Sequence, residues 1–335
     1  MSRLPEGLER VIFREFEGNI RPRTLGIAYG ERKTRPVRGG LFFPRAVKRR
    51  HGVEPERNSG REDARLRTVR ANGMDIAFEE QGSGPPLLLL HGFARDHTVW
   101  RPPAESLKER YRLLIPDLRG MGGSRHPDPG SPITMAQLAD DAAALLDALG
   151  VRAAAAAGFS MGGYVLLQLL RRHPGKVSAA GFVGTRASAD SPEKQAERLE
   201  QNRLVLKEGT SPMARDYVKR LFSPGFAAAN PHIVEETFQN FASQDPASVA
   251  LLNDAMRRRE DMTPWLGEIE CPCTVIGGTE DKLVAPDAMA ALHGKLRNSA
   301  LEMIQGAGHM LPVETPDRVV AALEELADRA GDAPK

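Results

Sequence analysis

Short, largely apolar runs recur along this chain, and they restrict its possible folds more than any other feature. Runs of this kind suit strands that are buried on both faces of a parallel sheet. They occupy residues 87–90, 113–115, 179–183, 274–276 and 301–304. Segments with helical periodicity separate them. Alternation of strands and helices predicts an α/β fold with a mostly parallel, doubly wound sheet.

Local signals mark individual elements within this alternation. Asn72-Gly73 lies between two alternating apolar segments and supplies the positive φ angles of a type I′ hairpin turn. Thr134 and Gln137 form a capping-box pair at the start of an amphipathic helix, and Gly150 ends that helix. Residues 153–157 are all alanine, which favours a helix. We nevertheless predict a strand there, because a helix would fuse with its neighbours and remove the turn at Gly158.

The chain divides into four predicted regions. Residues 1–66 are predicted to be a basic, disordered extension, because they offer few periodic apolar positions; residues 1–67 carry 17 Lys or Arg and 9 Asp or Glu. A nucleic-acid or membrane arm, or a natural start near Val69 or Met74, is the alternative for this segment. The remaining regions are an α/β core at 67–185, a helical lid at 186–255 and a second core segment at 256–330.

Composition excludes several classes of protein. No apolar run approaches the roughly 20 residues that cross a bilayer, and the N-terminus lacks the continuous apolar core of a secretory signal, so we expect a cytoplasmic protein. The two cysteines, Cys271 and Cys273, are spaced neither as a redox CxxC nor as half of a zinc site, and we expect no bridge between them. No ligand cluster indicates a metal, and no GxGxxG motif or P-loop indicates a nucleotide cofactor.

The stretch 158–163, GFSMGG, places glycines on both sides of Ser160 directly after the predicted alanine strand. A hydroxyl is a poor nucleophile until a base removes its proton, so geometry has to supply the activation. A sharp turn from a strand into a helix would lift the serine above the sheet, and flanking glycines avoid clashes there. An idle serine in a glycine-rich turn is the alternative.

From about Thr68 to Ala327 the sequence resembles the α/β-hydrolase superfamily. The segments that carry the resemblance occur in family order: His91-Gly92-Phe93, Asp117 to Ser124 (DLRGMGGS), GFSMGG, Gly278 to Asp281 (GTED), and Gly308-His309. The closest similarity is to small lid-bearing members such as 3-oxoadipate enol-lactonases and cofactor-free haloperoxidases. The resemblance implies a catalytic triad in the order Ser, Asp, His.

Ser160, Asp281 and His309 are the triad that this order implies. His309 follows a predicted strand, so it should lie at the carboxyl edge of the sheet and act as general base. Asp281 would orient it, with Glu280 as the rival. The other histidines are expected to be solvent or packing residues: His51, His97, His126, His173, His232 and His293, with His91 structural.

The resemblance also assigns supporting residues. The backbone amides of Phe93 and Met161 would form the oxyanion hole. Trp100 would line the acyl pocket together with Phe93, although core packing carries equal weight. Asp117 and Arg119 are expected to hold their loop by local hydrogen bonds.

These roles predict a cofactor-independent serine hydrolase that cleaves a small-molecule carboxylic ester or lactone through an acyl-enzyme. A carbon-carbon bond hydrolase or a perhydrolase of the same fold, or a receptor with slow turnover, is the alternative. We expect no nucleic-acid partner and no membrane association. The family's dehalogenases and epoxide hydrolases carry aspartate at the position of Ser160, which argues against both activities.

Overall fold

The computed structural model describes residues 8–13 and 66–331. Eight strands in this part of the chain form one sheet in the order β1-β2-β4-β3-β5-β6-β7-β8. They are β1 Arg67–Ala71, β2 Met74–Gln81, β3 Pro86–Leu90, β4 Arg112–Pro116, β5 Ala154–Phe159, β6 Val177–Val183, β7 Cys273–Gly278 and β8 Ser299–Ile304. Strand β2 is antiparallel to β1 and β4, and the other pairs are parallel. The predicted mostly parallel sheet is confirmed.

Helices connect most of the strands, and one helix also precedes β1 and others follow β8. They are α1 Leu8–Phe13, α2 Arg101–Leu107, α3 Met135–Ala148, α4 Met161–Arg172, α5 Pro192–Glu208, α6 Ser211–Leu221, α7 Pro224–Ala229, α8 Pro231–Ala242, α9 Pro246–Arg257, α10 Pro286–His293, α11 Leu311–Glu314 and α12 Pro316–Gly331. Single 3-10 turns occur at His97–Trp100 and Thr263–Glu268. No helix among the described residues is long and apolar enough to span a bilayer.

The sheet buries apolar side chains on both faces. Successive residues of a strand point to opposite faces, and β3 follows this rule. Leu88 and Leu90 join the core that contains α3, α4 and α10, whereas Leu87 and Leu89 join the core that contains α2 and α12. All four side chains are almost completely buried. This two-sided burial explains why the strand sequences are continuous apolar runs instead of alternating ones.

The alanine segment forms strand β5 between β3 and β6, as predicted. Its tertiary position overrides helix propensity, since every residue from Ala154 to Phe159 is buried in the sheet. The hairpin and the start of the helix at Thr134 are confirmed as well, but Gln137 Oε1 has no hydrogen-bond partner and does not complete the capping box. Asn72 and Gly73 have φ angles of 44° and 75°, and the Thr134 hydroxyl accepts a hydrogen bond from the Gln137 amide at 3.0 Å.

A helical insertion, α5 to α9, separates β6 from β7. The sequence predicts three of its helices, at 192–206, 212–221 and 231–241, and the structure extends each by one to two residues at one end. Helices α7 and α9 were not predicted. Every residue of α9 from Ala247 to Arg257 is buried, so this helix has no solvent-exposed face, and its polar residues Asn253 and Asp254 lie inside the protein. It also runs past the predicted boundary at residue 255.

Helix α1 lies inside the segment that was predicted to be a disordered extension. Leu8 and Ile12, one helical turn apart, are 0% and 1% exposed, and α1 packs against α9. The Arg203 guanidinium of α5 lies over the Phe13 ring, 5.1 Å from its centroid. The predicted disorder therefore does not apply to residues 8–13, and the rest of residues 1–65 lies outside the described residues.

Candidate active site

Ser160 lies on the turn between β5 and α4, with φ 53° and ψ −112°. A positive φ is unfavourable for a residue that carries a Cβ, so the surrounding structure must hold it. The Ser160 amide donates to the Val183 carbonyl at 2.8 Å, and the Thr185 hydroxyl donates to the Ser160 carbonyl at 2.8 Å. Strand β6 and the loop after it thus fix the serine backbone from one side.

The glycines around Ser160 are required by close backbone approach. A Cβ at Gly158 would lie 2.3 Å from the Gly162 carbonyl oxygen, and a Cβ at Gly162 would lie 2.3 Å from the Leu90 carbonyl oxygen. A Cβ at Gly163 would meet the Thr185 side chain at 2.4 Å. Real Cβ atoms do not approach other atoms this closely. The GFSMGG stretch therefore lets α4 pack tightly on β3 and β5 while Ser160 projects from the turn.

Three distant segments bring Ser160, His309 and Asp281 into hydrogen-bond contact. His309 Nε2 lies 3.0 Å from Ser160 Oγ, and His309 Nδ1 lies 2.7 Å from Asp281 Oδ2. The other carboxylate oxygen, Asp281 Oδ1, accepts hydrogen bonds from the Leu283 and Val284 amides at 2.7 and 2.9 Å. The carboxylate is thus fully engaged, and the imidazole has one fixed orientation. Glu280, the rival acid, is exposed.

The loop that carries His309 is held by the helical insertion and by α11. The His309 amide donates to the Leu221 carbonyl at the end of α6, at 2.9 Å. Glu314 Oε2 accepts from the Gly308 amide at 3.0 Å and from the Ser223 amide at 3.1 Å. Glu314 was not predicted from the sequence, because a carboxylate that bonds only backbone amides leaves no motif.

Phe93 and Met161, the predicted oxyanion donors, flank Ser160 at one edge of the sheet. Met161 begins α4, and Phe93 follows β3, which pairs with β5. A Cβ on Gly92 would lie 3.3 Å from Ser160 Cβ, so the loop after β3 passes directly beside the serine. Within the described residues, neither amide donates to another protein group. Both amides are thus available to a ligand.

Aromatic rings from the helical insertion cover this edge. The rings of Phe93, Tyr217 and Phe241 contact one another edge to face, with centroids 5.7–5.9 Å apart. Burial raises the pKa of the Tyr217 phenol to about 12, so it stays neutral across the physiological range. Neither Tyr217 nor Phe241 was singled out from the sequence.

Trp100 does not support the predicted role in the acyl pocket. Its side chain is completely buried among Leu89, Ala104 and Leu107, on the α2 side of the sheet. Its indole Nε1 has no hydrogen-bond partner. The alternative interpretation, core packing, accounts for this residue.

The residues expected to be structural hold the two loops next to the site. His91 links the loop after β3 to the loop after β4. Its Nε2 accepts a hydrogen bond from the Leu118 amide at 2.8 Å, and its Nδ1 lies 2.8 Å from the Gly92 carbonyl oxygen. Burial lowers the pKa of His91. Arg119 forms two hydrogen bonds to the Asp141 carboxylate, at 2.8 and 2.6 Å. These contacts fix the loops and leave no group free for proton transfer.

His97 is neither a solvent residue nor an ordinary packing residue, in contrast to the prediction. Its Nδ1 lies 2.7 Å from Asp117 Oδ1, and its Nε2 lies 3.2 Å from Glu79 Oε1. Burial by itself lowers the pKa of His97, but the hydrogen bonds to these two carboxylates outweigh burial and raise it to about 10. Arg101 also bonds Glu79, at 2.6 Å. Only the fold reveals this network, since its members lie on β2, the loop after β4 and the turn before α2.

Cys271 and Cys273 are both free thiols, and the Cys273 Sγ donates to the Cys271 carbonyl at 3.3 Å. Among the described residues, no group of three or more His, Cys, Asp or Glu side chains is placed to hold a metal ion.

Proteins of known name are similar to this chain over most of its length. The chain is 28% identical to 3-oxoadipate enol-lactonase 2 of Acinetobacter baylyi over 262 residues, which are 78% of this chain and 96% of the relative. RutD of Azorhizobium caulinodans, which bears a provisional carbamate-hydrolase name, is 27% identical over 248 residues, 72% of this chain and 91% of the relative.

Solved structures and a family model agree with these relatives. A thermophilic esterase of Thermogutta terrifontis, solved with malate bound, has a TM-score of 0.74 and 33% identity, and the match covers 79% of this chain and 97% of the esterase. The family model for the alpha/beta hydrolase fold matches residues 85–316. That range contains the β3 loop, the Ser160 turn, the helical insertion and the segments that carry Asp281 and His309. The chain therefore belongs to the α/β-hydrolase family.

Proposed function

We propose that this chain is a cofactor-independent serine hydrolase that cleaves a carboxylic ester or lactone through an acyl-enzyme. One observation carries the proposal: Ser160 Oγ, the His309 ring and the Asp281 carboxylate form a continuous hydrogen-bonded chain of 3.0 and 2.7 Å. Nucleophile, base and orienting acid need this order of contacts. The available amides of Phe93 and Met161 beside it supply the remaining requirement, an oxyanion hole.

The geometry supports a two-step reaction. As Ser160 Oγ attacks the substrate carbonyl carbon, His309 Nε2 takes the hydroxyl proton, and the carbonyl oxygen becomes an oxyanion that the Phe93 and Met161 amides stabilise. The oxyanion collapses, the bond to the leaving oxygen breaks, and His309 returns the proton to that oxygen. Water then repeats the sequence on the acyl-enzyme. Asp281 holds Nδ1 protonated throughout, so Nε2 stays the acceptor.

The substrate class rests on the relatives and on the surroundings of Ser160. An enol-lactonase and an esterase are among the similar proteins, and both names describe cleavage of an ester linkage. The aromatic rings of Phe93, Tyr217 and Phe241 favour an apolar acyl group. We propose that the helical insertion acts as the lid over this site, and that the partner is a small molecule and not a nucleic acid.

A substrate panel with one matched pair of variants tests the proposal. The panel comprises p-nitrophenyl esters of graded acyl length, enol-lactones, carbamates, carbon-carbon bond substrates and peroxide-dependent reactions. We expect hydrolysis of an ester or lactone, and labelling by a fluorophosphonate. Ser160→Ala should abolish both, whereas Ser178→Ala, at an exposed position of β6, should change neither. Labelling that persists in Ser160→Ala would contradict the proposal, and a burst without turnover would indicate a receptor.

A further inference from the structure

One face of α8 meets the loop that carries the Phe93 amide. The Asn240 Nδ2 donates to Asp96 Oδ2 at 2.7 Å, and the Arg95 Nη1 donates to the Thr237 carbonyl at 2.8 Å. Thr237, Asn240 and Phe241 are three and four residues apart, so they lie on the same face of the helix. The Phe241 ring packs against the ring of Phe93 itself, as described above. Helix α8 thus contacts the loop at three of its five residues from 92 to 96.

The β3 loop needs such support, because its backbone is irregular. Ala94 has a φ of 51°, which is unfavourable for a residue with a Cβ. On the sheet side, the Arg95 amide donates to the Gly92 carbonyl at 3.3 Å, and His91 fixes the start of the loop. The Phe93 amide lies between these supports. The loop thus has contacts on its sheet side and on its α8 side.

The polar groups at this contact are buried, so they depend on each other. Arg95 and Asp96 are 6% and 8% exposed. Among the described residues, no carboxylate forms an ion pair with Arg95, and its Nε has no partner. Burial lowers the pKa of Arg95 to about 10, which still leaves it charged at neutral pH. A buried charge that loses a hydrogen-bond partner is destabilised, so the loop is expected to rearrange when α8 moves away.

Asp96 connects the α8 contact to the end of the loop. Its other oxygen, Oδ1, accepts from the Thr98 amide at 3.0 Å and so caps the turn His97–Trp100. Gln244, just beyond α8, continues the contact: its Nε2 donates to the Asn240 carbonyl, and its Oε1 accepts from the Gly122 amide. The end of α8 is thereby tied to the loop after β3 and to the loop after β4.

We propose that α8 positions the oxyanion hole, with Asn240 and Arg95 as positioning residues. This inference rests on the proposed function, and it adds two positioning residues to that site. While α8 contacts the loop, the Phe93 amide is held ready for the oxyanion. Without the Asn240–Asp96 and Arg95–Thr237 bonds, the loop rearranges and the hole is lost.

The test uses Asn240→Asp, which sets a second carboxylate against Asp96. We expect kcat for the best ester to fall about 10-fold to 100-fold, less than the loss of a complete oxyanion donor, while KM changes by less than about threefold. The double variant Asp96→Asn, Asn240→Asp exchanges the two side chains, so that residue 96 donates and residue 240 accepts at the same contact. It should recover most of the kcat. Gln239→Ala, on the exposed face of α8, is the control and should behave as the wild type.

Hydrogen exchange gives a readout that needs no substrate. In Asn240→Asp, the amides of residues 92–97 should exchange faster, while those of β5 and α4 keep their protection. Unchanged exchange in residues 92–97, or a raised KM with unchanged kcat, would overturn the positioning role. If the wild type cleaves nothing and is not labelled by a fluorophosphonate, the proposed function fails, and the exchange result alone still decides whether α8 holds the loop.

Discussion

Asp281 divides its two carboxylate oxygens between His309 and the backbone of its own loop. Asp281→Asn keeps the size of the side chain, but its amide group can donate to Nδ1 and so favours the wrong tautomer of His309. We expect kcat to fall by about 10⁴-fold, the size of effect seen when a triad acid is neutralised. Steady-state kinetics on the best ester of the panel measures this.

Glu280 provides the matched control, since it is adjacent in sequence and exposed. Glu280→Gln removes the same charge, one residue away, without touching the imidazole. It should leave kcat within about twofold. Equal losses in the two variants would mean that the local negative charge matters, and not the contact to His309.

His97 makes the stability of the protein depend on pH. Its pKa rises from 6.5 to about 10 on folding, because two buried carboxylates bond the charged ring. The stabilisation is complete below pH 6.5, declines as the unfolded state loses its proton above that value, and is gone above about pH 10. The free energy of unfolding of the wild type should therefore exceed that of His97→Gln most at pH 6, and the difference should shrink steadily towards pH 10.

Urea unfolding at pH 6, 8 and 9.5 measures this difference. Both proteins must show the same m-value at each pH, so that the comparison concerns stability and not compactness. A difference that stays constant over this range would show that His97 stabilises the fold by packing instead of by charge.

At the scale of elements, helix α1 is the least expected part of the fold. Only two of its side chains, Leu8 and Ile12, are buried in the contact with the helical insertion. Truncating both side chains to alanine removes these apolar contacts with α9. Among the described residues, no other segment of residues 1–65 makes such contacts. We expect each truncation to lower the free energy of unfolding by about 2–5 kcal/mol.

Limited proteolysis and urea unfolding of the Leu8→Ala, Ile12→Ala double variant test this expectation. Cleavage near α1 should become faster, and the midpoint of unfolding should decrease. Leu66, an exposed side chain, provides a control, since Leu66→Ala should change the midpoint little. An unchanged midpoint in the double variant would show that α1 contributes nothing to the stability of the insertion.

The sequence predicts those elements whose signals are local. The Asn72-Gly73 turn and the Thr134 cap depend on a few adjacent residues, and both were correctly predicted. Helix α9 was missed; it is buried on all sides, and its polar residues Asn253 and Asp254 bond other protein groups instead of water. The assignment of β5 required a topological argument against its own helix propensity. Local propensity thus fails where tertiary burial decides the structure.

The same distinction applies to the site. Ser160 and His309 stand next to glycines that the close-packed backbone requires, so a motif marks each of them. Glu79 and His97 bond partners that are distant in sequence, and Glu314 bonds only backbone amides, so no motif marks them. Trp100 shows the reverse error, because an aromatic residue near a motif packs in the core as readily as in a pocket.

On the scale of the whole molecule, the sheet is what brings the site together. The turns after β3 and β5 and the loops after β7 and β8 all leave its carboxyl edge, where open α/β sheets bind ligands. The helical insertion enters after β6 and returns over the same edge, as the Leu221–His309 and Phe241–Phe93 contacts show. Ser160, Asp281 and His309, although up to 149 residues apart in the chain, should therefore act as one unit.

Residues that act as one unit lose their function together, so the kinetic effects of removing them do not multiply. The most direct test measures kcat for Ser160→Ala, His309→Ala and the double variant on the best ester of the panel. We predict that each single variant loses about 10⁴-fold to 10⁶-fold in kcat, and that the double variant loses no more than the worse single variant. Losses that multiply, or a His309→Ala variant that keeps most of its kcat, would contradict this prediction.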